Sequence, residues 1–308
     1  MPAKQLVQLN ADDFRQAMEQ FKEFLIKYEQ LINDLNVYPV PDSDTGTNSL
    51  VTLKAGVAGM TGDRAAQLAK SLSQSCAKAA LGNSGVILAA YFSGIAEVLS
   101  SAESESAKTS SSVTLTEWQS ALINAANCAR QAVLRPSQGT MLTIADAVAN
   151  NKEEDLASQL VTNSIAARLA LVKTTEMLPS LAEAGVVDSG AVVLTLFHDA
   201  FAKLVSESGF TELQIETTEC KVKPDYQGPS HELMFALNLS TVNKEQFFAQ
   251  LTEFGDSISI TTIDAETPEK ELLRIHIHCD NPDQVINQAR TFGQVSDLVL
   301  FNLTLKNL

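Results

Sequence analysis

The sequence predicts a helical N-terminal part followed by a smaller α/β part, on three observations. Apolar residues recur at spacings of three and four through residue 205, and strict alternation replaces that period after residue 230. The length of 308 residues, set against a prior of roughly one domain per ~150, allows two domains. With 45% apolar and 19% charged residues the chain has the balance of a globular protein, which excludes a disordered or fibrous one.

The helices can be justified in order. Phe14, Met18, Phe21, Leu25, Tyr28, Ile32 and Leu35 share one helical face; Asn10 is placed to cap that helix, with Asp12 and Asp13 in its first turn. Further helical patterns cover 46–59, 62–80, 84–99, 114–134, 140–151, 155–177 and 189–205, which makes eight. Their Ala-rich faces permit the close approach that an up-and-down bundle or barrel requires. Ser100–Ser112 (SSAESESAKTSSS) reads as a solvated polar loop. Residues 206–230 hold Gly209, Pro224, Gly228 and Pro229 without a sustained period and read as a linker between domains at 1–205 and 231–308. Strands at Leu233–Leu239, Ser257–Ile263, Leu272–His278 and Val295–Leu303 alternate there with helices at Lys244–Phe254 and Pro282–Thr291. That order, βαββαβ, predicts a ferredoxin-like two-layer sandwich.

Lys plus Arg number 22 and Asp plus Glu 37, a net charge of −15. Residues 1–205 carry 15 basic and 21 acidic groups, residues 206–308 carry 7 and 16, so neither part offers the basic surplus that nucleic acid requires. A nucleotide remains compatible with this charge where divalent cations supply the positive charge. Cys76, Cys128, Cys220 and Cys279 are widely spaced without a CxxC pair, which suits a reducing compartment. The N-terminal residues lack a signal pattern, and the apolar run Gly85–Leu99 is shorter than the ~20 residues of a membrane span. The expectation is a cytoplasmic protein with no integral membrane segment.

The segment Asn36-Val-Tyr-Pro-Val-Pro-Asp-Ser-Asp-Thr-Gly-Thr-Asn48 carries the sharpest chemistry. Pro39 and Pro41 end the first helix, and in an extended loop the carboxylates of Asp42 and Asp44 point the same way. Two carboxylates aimed at one point repel unless a cation separates them, and Mg²⁺ with substrate phosphates suits such a pair. The alternative is that one of them caps the helix opening at Thr45. Gly82-Asn-Ser-Gly85, Gly139-Thr-Met141 and Val187-Asp-Ser-Gly190 also stand at helix starts, whose amides and dipoles suit anions. Four such N-termini at one end of a bundle would make an anion-binding mouth. GxxxxGK[ST] and GxGxxG are both absent. His198, in an apolar helix, reads as a core histidine.

LNVYPVPDSDTGTN, GNSGVIL, RPSQGTMLT and LAEAGVVDSG, in this order and spacing, resemble the ATP-binding domain of the dihydroxyacetone kinase L-subunit (DhaL) superfamily, and most of all its branch in the catalytic subunit of bacterial fatty acid kinase. The resemblance covers residues 8–205 and implies an eight-helix barrel with ATP at one rim. It implies Mg²⁺ at Asp42 and Asp44, with Asn36 at a third metal position and Thr45, Thr47 and Asn48 lining the site. It further implies phosphate contacts at Asn83, Ser84 and Gly85, Thr140 and Met141 beside the nucleoside, and Asp188 and Gly190 closing the rim. Arg274-Ile-His-Ile-His-Cys-Asp280 resembles the middle domain of that same kinase chain, whose HIH strand implies zinc at His276 and His278. The family's third ligand, a cysteine, is absent; Ser230 or His231 stands in its place, His231 being the better donor, and two ordinary strand histidines remain the alternative. Cys279 is expected on the opposite sheet face, and Cys220 could reach in only by a loop.

The sequence departs from the family at Ser43, usually glycine, at Leu81, usually arginine, and at Ser189–Val192, which lacks a glycine-richer continuation. The chain also ends at Leu308, where the full-length kinase continues into another α/β domain. The implied function is Mg²⁺-dependent phosphoryl transfer from ATP to a fatty acid, forming an acyl phosphate. The implied partner is a DegV-type fatty-acid-binding protein; homodimerisation is left open. The alternatives are nucleotide binding without turnover and a role within a dihydroxyacetone-type (glycerone) kinase.

Overall fold

The computed structural model describes residues 6–105, 112–206, 211–215, 227–240, 244–267 and 270–304. Helices come first: α1 (Ala11–Asp34), α2 (Thr45–Ala58), α3 (Ala65–Ala79), α4 (Gly82–Glu105), α5 (Leu115–Gln131), α6 (Met141–Ala149), α7 (Leu156–Met177), α8 (Pro179–Ala184) and α9 (Ser189–Lys203). The eight expected helices are present. The ninth, α8, opens on a proline and closes on Gly185 at φ 69°.

Two expectations are corrected. Residues 100–105 belong to α4 rather than to a loop, because Ser, Ala and Glu do not break a helix; 106–111 lie outside the described residues. The same extension makes Gly82–Ala102 long and apolar enough to cross a membrane, contrary to the short-run expectation, although 61% of its apolar window is buried against the rest of the protein. Gly94 explains part of that burial, since a Cβ there would lie 2.6 Å from Ala125 Cα on α5.

Asn10 caps α1 in a reciprocal box with Asp13. Each helix from α1 to α8 packs on a sequence neighbour, α7 packs on α9, and α9 returns to α1 and α2, so the packing order closes on itself. Phe14, Phe21, Trp118, Phe197 and Phe201 fill the centre, with edge contacts such as Phe21–Phe197 at 5.7 Å and 82°. His198 is a core histidine beside the Tyr91 hydroxyl, and burial pushes its pKa down to about 3.

The remaining elements are β1 (His231–Ser240), α10 (Lys244–Leu251), β2 (Gly255–Thr267), β3 (Lys270–Cys279), α11 (Pro282–Phe292) and β4 (Gly293–Asn302). They form a four-stranded antiparallel sheet in the order β2-β3-β1-β4. Leu233, Phe235, Leu237, Ile275, Ile277 and Cys279 build a second core with Phe247 of α10 and Val285 of α11. The opposite face, with Met234 and Ala236, joins the helical core.

Docking of the two parts is specific. Leu134 donates to the Ile258 carbonyl at 3.2 Å and Ile260 to the Ala132 carbonyl at 2.7 Å, which ties the α5–α6 connection to the edge strand β2. Arg274 donates to the Ala80 carbonyl at 3.3 Å, and the Gly82 N–H donates to Met234 Sδ at 3.3 Å. Of the expected linker, 211–215 is strapped to the helices by Arg168 at the Thr211 carbonyl and Tyr28 at the Leu213 carbonyl. Cys220 lies outside the described residues.

Candidate functional site

The loop before α2 is organised by α1. Asn33 Oδ1 accepts the amides of Gly46 at 2.7 Å and Thr47 at 3.2 Å, while Asn36 Oδ1 accepts the Thr45 amide at 3.1 Å. Asp44 occupies the N-cap position, yet its side chain makes no capping hydrogen bond. The capping alternative is thereby removed for Asp44: Asn33 of α1 and Asn36 just beyond its end satisfy the amides. The loop is not extended as expected. Ser43 sits at φ 60°, and that turn, rather than strand-like alternation, turns Asp42 and Asp44 toward a common point.

That point includes a residue from the sheet. One carboxylate oxygen each from Asp42, Asp44 and Glu232 lie within 4.8 Å of one another. Glu232 pairs with His278 across the β1–β3 ladder and Met234 with His276, so Glu232, His276 and His278 share a face. Their ligand atoms also lie within 4.8 Å, and all three are buried. His276 Nδ1 donates to the Ser257 carbonyl at 2.9 Å, which directs Nε2 to Glu232 Oε1 at 3.1 Å. A bare ring nitrogen and a carboxylate repel at that distance unless a proton or a metal ion lies between them. Two imidazoles and a carboxylate are a donor set that fits zinc; paired carboxylates beside phosphate oxygens fit Mg²⁺.

Beside this group lies a cavity of about 400 Å³, within the size range of small-molecule sites. Its walls take Thr45 from α2, Asn83 and Ser84 from α4, Met141 from α6 with its cap Thr140, and Gly190 from α9 with its cap Asp188. Four helix N-termini thus face one space, and Ser189 Oγ meets Thr45 Oγ1 at 3.2 Å within its wall. Asp188 accepts the Ala191 amide at 2.6 Å; burial raises its pKa to about 7 against the opposing pull of the Ala191, Gly190 and Met141 amides. Among the described residues Arg135 is the basic side chain of the lining, and Gly255–Ile258 of β2 close the space from the sheet.

Residues 39–203, more than half of the sequence, match the DAK2 domain. The chain belongs to the DAK2 domain family. Residues 228–307 match the middle domain of the FakA-like fatty acid kinase family. The Staphylococcus saprophyticus protein SSP1546 is 29% identical over 314 residues, covering 94% of this chain and 54% of its own length. Protein YloV of Bacillus subtilis is 28% identical over 298 residues, covering 88% and 51%. The chain therefore spans about half the length of the curated relatives it matches. The crystal structure of the dihydroxyacetone kinase of C. freundii superposes with a TM-score of 0.43 at 16% identity, over 66% of this chain and 37% of that one.

Within the DAK2 domain, Thr45, Asn83, Ser84, Thr140, Met141, Asp188 and Gly190 come together on the cavity. Thr47 and Asn48 do not: Thr47 turns to Asn33 and Glu29 of α1, and Asn48 packs against Gly82. Gly85 is spent on helix packing, because a Cβ there would collide with Thr52 Oγ1. Asn36 donates to the Val40 carbonyl and, at 3.4 Å, to Asp42 Oδ1, while its own Oδ1 accepts from Thr45, so its polar atoms shape the loop that carries the Asp pair. His231 points to the other sheet face, opposite Cys279, and Ser230 bonds to His231 and Asp280; neither joins the histidine pair, whose place of third donor falls to Glu232. Glu232, Arg135 and the β2 wall were missed from sequence. Glu232 had one signal, its place directly after Ser230 and His231 in the stretch that lacks the family's cysteine.

Proposed function

We propose that this protein is a Mg²⁺-dependent ATP phosphotransferase of the fatty acid kinase type, acting on a fatty acid presented by a separate DegV-type binding protein. The observation that supports it best is the convergence of four helix N-termini on one cavity, with the Asp42–Asp44 pair immediately before its wall residue Thr45 although neither carboxylate lines the cavity itself. Helix-terminal amides at Asn83 and Ser84, with the neighbouring hydroxyls of Thr45 and Ser189, would bind phosphate oxygens, and the apolar side chains of Met141, Leu142 and Ile258 would hold the nucleoside. Mg²⁺ held by Asp42 and Asp44 would supply charge neutralisation for the transferring phosphate. The acceptor carboxylate oxygen bonds to the γ-phosphorus as the bond to the β–γ bridging oxygen breaks, and ADP leaves. Positioning and charge carry such a reaction, with no covalent nucleophile.

His276, His278 and Glu232 would hold zinc in the second part. A second reading, nucleotide binding without turnover, is favoured by the sparse positive charge of the lining, which among the described residues rests on Arg135. Calorimetric titration with Mg·ATP, then ADP release with a fatty-acid-loaded binding protein, decides. Binding with turnover supports the kinase, binding without turnover under every acceptor supports the second reading, and no binding defeats both.

A further inference from the structure

We propose that Glu232 joins the two cation sites into one cluster. Its carboxylate serves both an ion held by His276 and His278 and an ion held by Asp42 and Asp44, so the sheet completes the phosphate-side metal site of the helical part. This rests on the reading that Asp42 and Asp44 hold a nucleotide-bound cation.

Three observations carry it. Glu232 belongs to both groups of converging ligand atoms, each within 4.8 Å, and one of its oxygens already stands 3.1 Å from His276 Nε2. A carboxylate has two oxygens and bridges two ions readily. Glu232 is also fixed there by backbone, not by chance of rotamer. The β1–β3 register sets it beside His278, and the bonds of Met234 Sδ with Gly82 and of Arg274 with Ala80 press this face onto the start of α4. Finally, the donor set is graded in chemistry across the cluster. Imidazoles at one end suit a borderline-soft ion and carboxylates at the other a hard one, with Glu232, at 3% exposure, between them. Three carboxylates within 4.8 Å, Glu232 buried and Asp42 and Asp44 half-buried, repel one another unless positive charge lies between them.

The two sites must then sense each other: filling one polarises the carboxylate that the other uses. The test uses the full chain stripped of metal and reloaded with one equivalent of Co²⁺, whose visible absorption reports its ligands. Addition of Mg²⁺ with ADP is expected to shift the Co²⁺ bands. In Glu232→Gln the shift is expected to vanish, and the affinity for Mn²⁺ in the presence of ADP, read by electron paramagnetic resonance, to fall at least tenfold. Wild-type protein that binds Mn²⁺ with ADP yet shows unmoved Co²⁺ bands overturns the proposal and leaves the nucleotide reading standing. Protein that takes Co²⁺ but never binds Mn²⁺ with ADP overturns that reading, and the proposal with it. Unchanged Mn²⁺ affinity in a folded Glu232→Gln variant also overturns the proposal. Should that variant not fold, the wild-type Co²⁺ response alone decides.

Discussion

Asn36 and Thr45 are joined twice: Asn36 Oδ1 accepts both the backbone N–H of Thr45, at 3.1 Å, and its hydroxyl. Thr45 Oγ1 in turn meets Ser189 Oγ, so the end of α1 reaches the start of α9 through two side chains. Asn36 is therefore a positioning residue, and Asn36→Ala should leave buried donors without an acceptor. The expected cost is about 1–3 kcal/mol in urea unfolding. Mn²⁺ affinity should fall as well, but by less than in Asp42→Ala. A larger loss of metal than Asp42→Ala produces would make Asn36 a ligand after all.

Asp42→Asn and Asp44→Asn should behave in the opposite way. The amides at the start of α2 are satisfied by Asn33 and Asn36, so removing either charge should change stability by less than ~1 kcal/mol, while relieving repulsion between carboxylates. ATP turnover, or Mn²⁺·ADP binding where turnover is absent, should drop about a hundredfold or more, as for loss of a group acting mainly on transition-state charge. Measured unfolding midpoints beside binding isotherms separate the two effects. A variant that binds normally, or one that unfolds several kcal/mol more easily, contradicts the assignment.

What the sequence made legible follows from the range of the interactions. Helix period, the Asn10–Asp13 cap and the βαββαβ order are local, and they were readable within a dozen residues. α8 is six residues long, too short to show a period. α4 ran past its apolar stretch because serine and glutamate support a helix whose core face has already been fixed. The Asp pair was readable, but the turn at Ser43 and the role of Glu232 were not. Glu232 reaches His276 across 44 positions of sequence and reaches Asp42 only through the docking of the sheet on the helices. Substituting His231 for the absent cysteine failed for a reason of parity: adjacent strand residues face opposite sides.

Gly46 marks the closest approach of α1 and α2. A Cβ there would collide with the Glu29 carbonyl oxygen and lie 2.8 Å from Asn33 Oδ1. Backbone cannot yield as a side chain can, so Gly46→Ala should push α2 from its cap and cost roughly 1–3 kcal/mol. Because the same shift moves Asp44 and Thr45, nucleotide affinity should fall with stability, read by calorimetry and thermal unfolding on one preparation. An alanine variant as stable as wild type would mean that the helices are not held this close.

Ser43 stands at φ 60°, a left-handed conformation that costs a non-glycine residue about 1–2 kcal/mol. Ser43→Gly relieves that strain but frees the unfolded chain by about 0.5–1 kcal/mol, so its stability should stay within ~1 kcal/mol of wild type. Ser43→Val, branched at Cβ, should lose about 1–2 kcal/mol more and loosen the Asp42–Asp44 geometry. The comparison is made on unfolding free energy and Mn²⁺ affinity together. A valine variant equal to the glycine variant in both would show that the turn is not held in solution.

Asp188 is the buried acid whose titration should be visible. Burial raises its pKa to about 7 in the folded protein, against an ordinary value near 3.8, so the folded state keeps a proton that the unfolded chain has lost. Between those values the native state binds more protons than the unfolded one, and stability must fall as pH rises from about 4 to about 7, then level off. The Ala191 amide at 2.6 Å still needs an acceptor, which the side-chain carbonyl of asparagine supplies. Asp188→Asn should therefore remain folded and lose this component of the pH dependence. Urea midpoints of wild type and variant, measured at intervals from pH 4.5 to 8.5, should diverge steadily up to pH 7, with the variant gaining relative stability. A difference that stays flat across that range would mean that Asp188 ionises normally and that the three amides around it outweigh its burial.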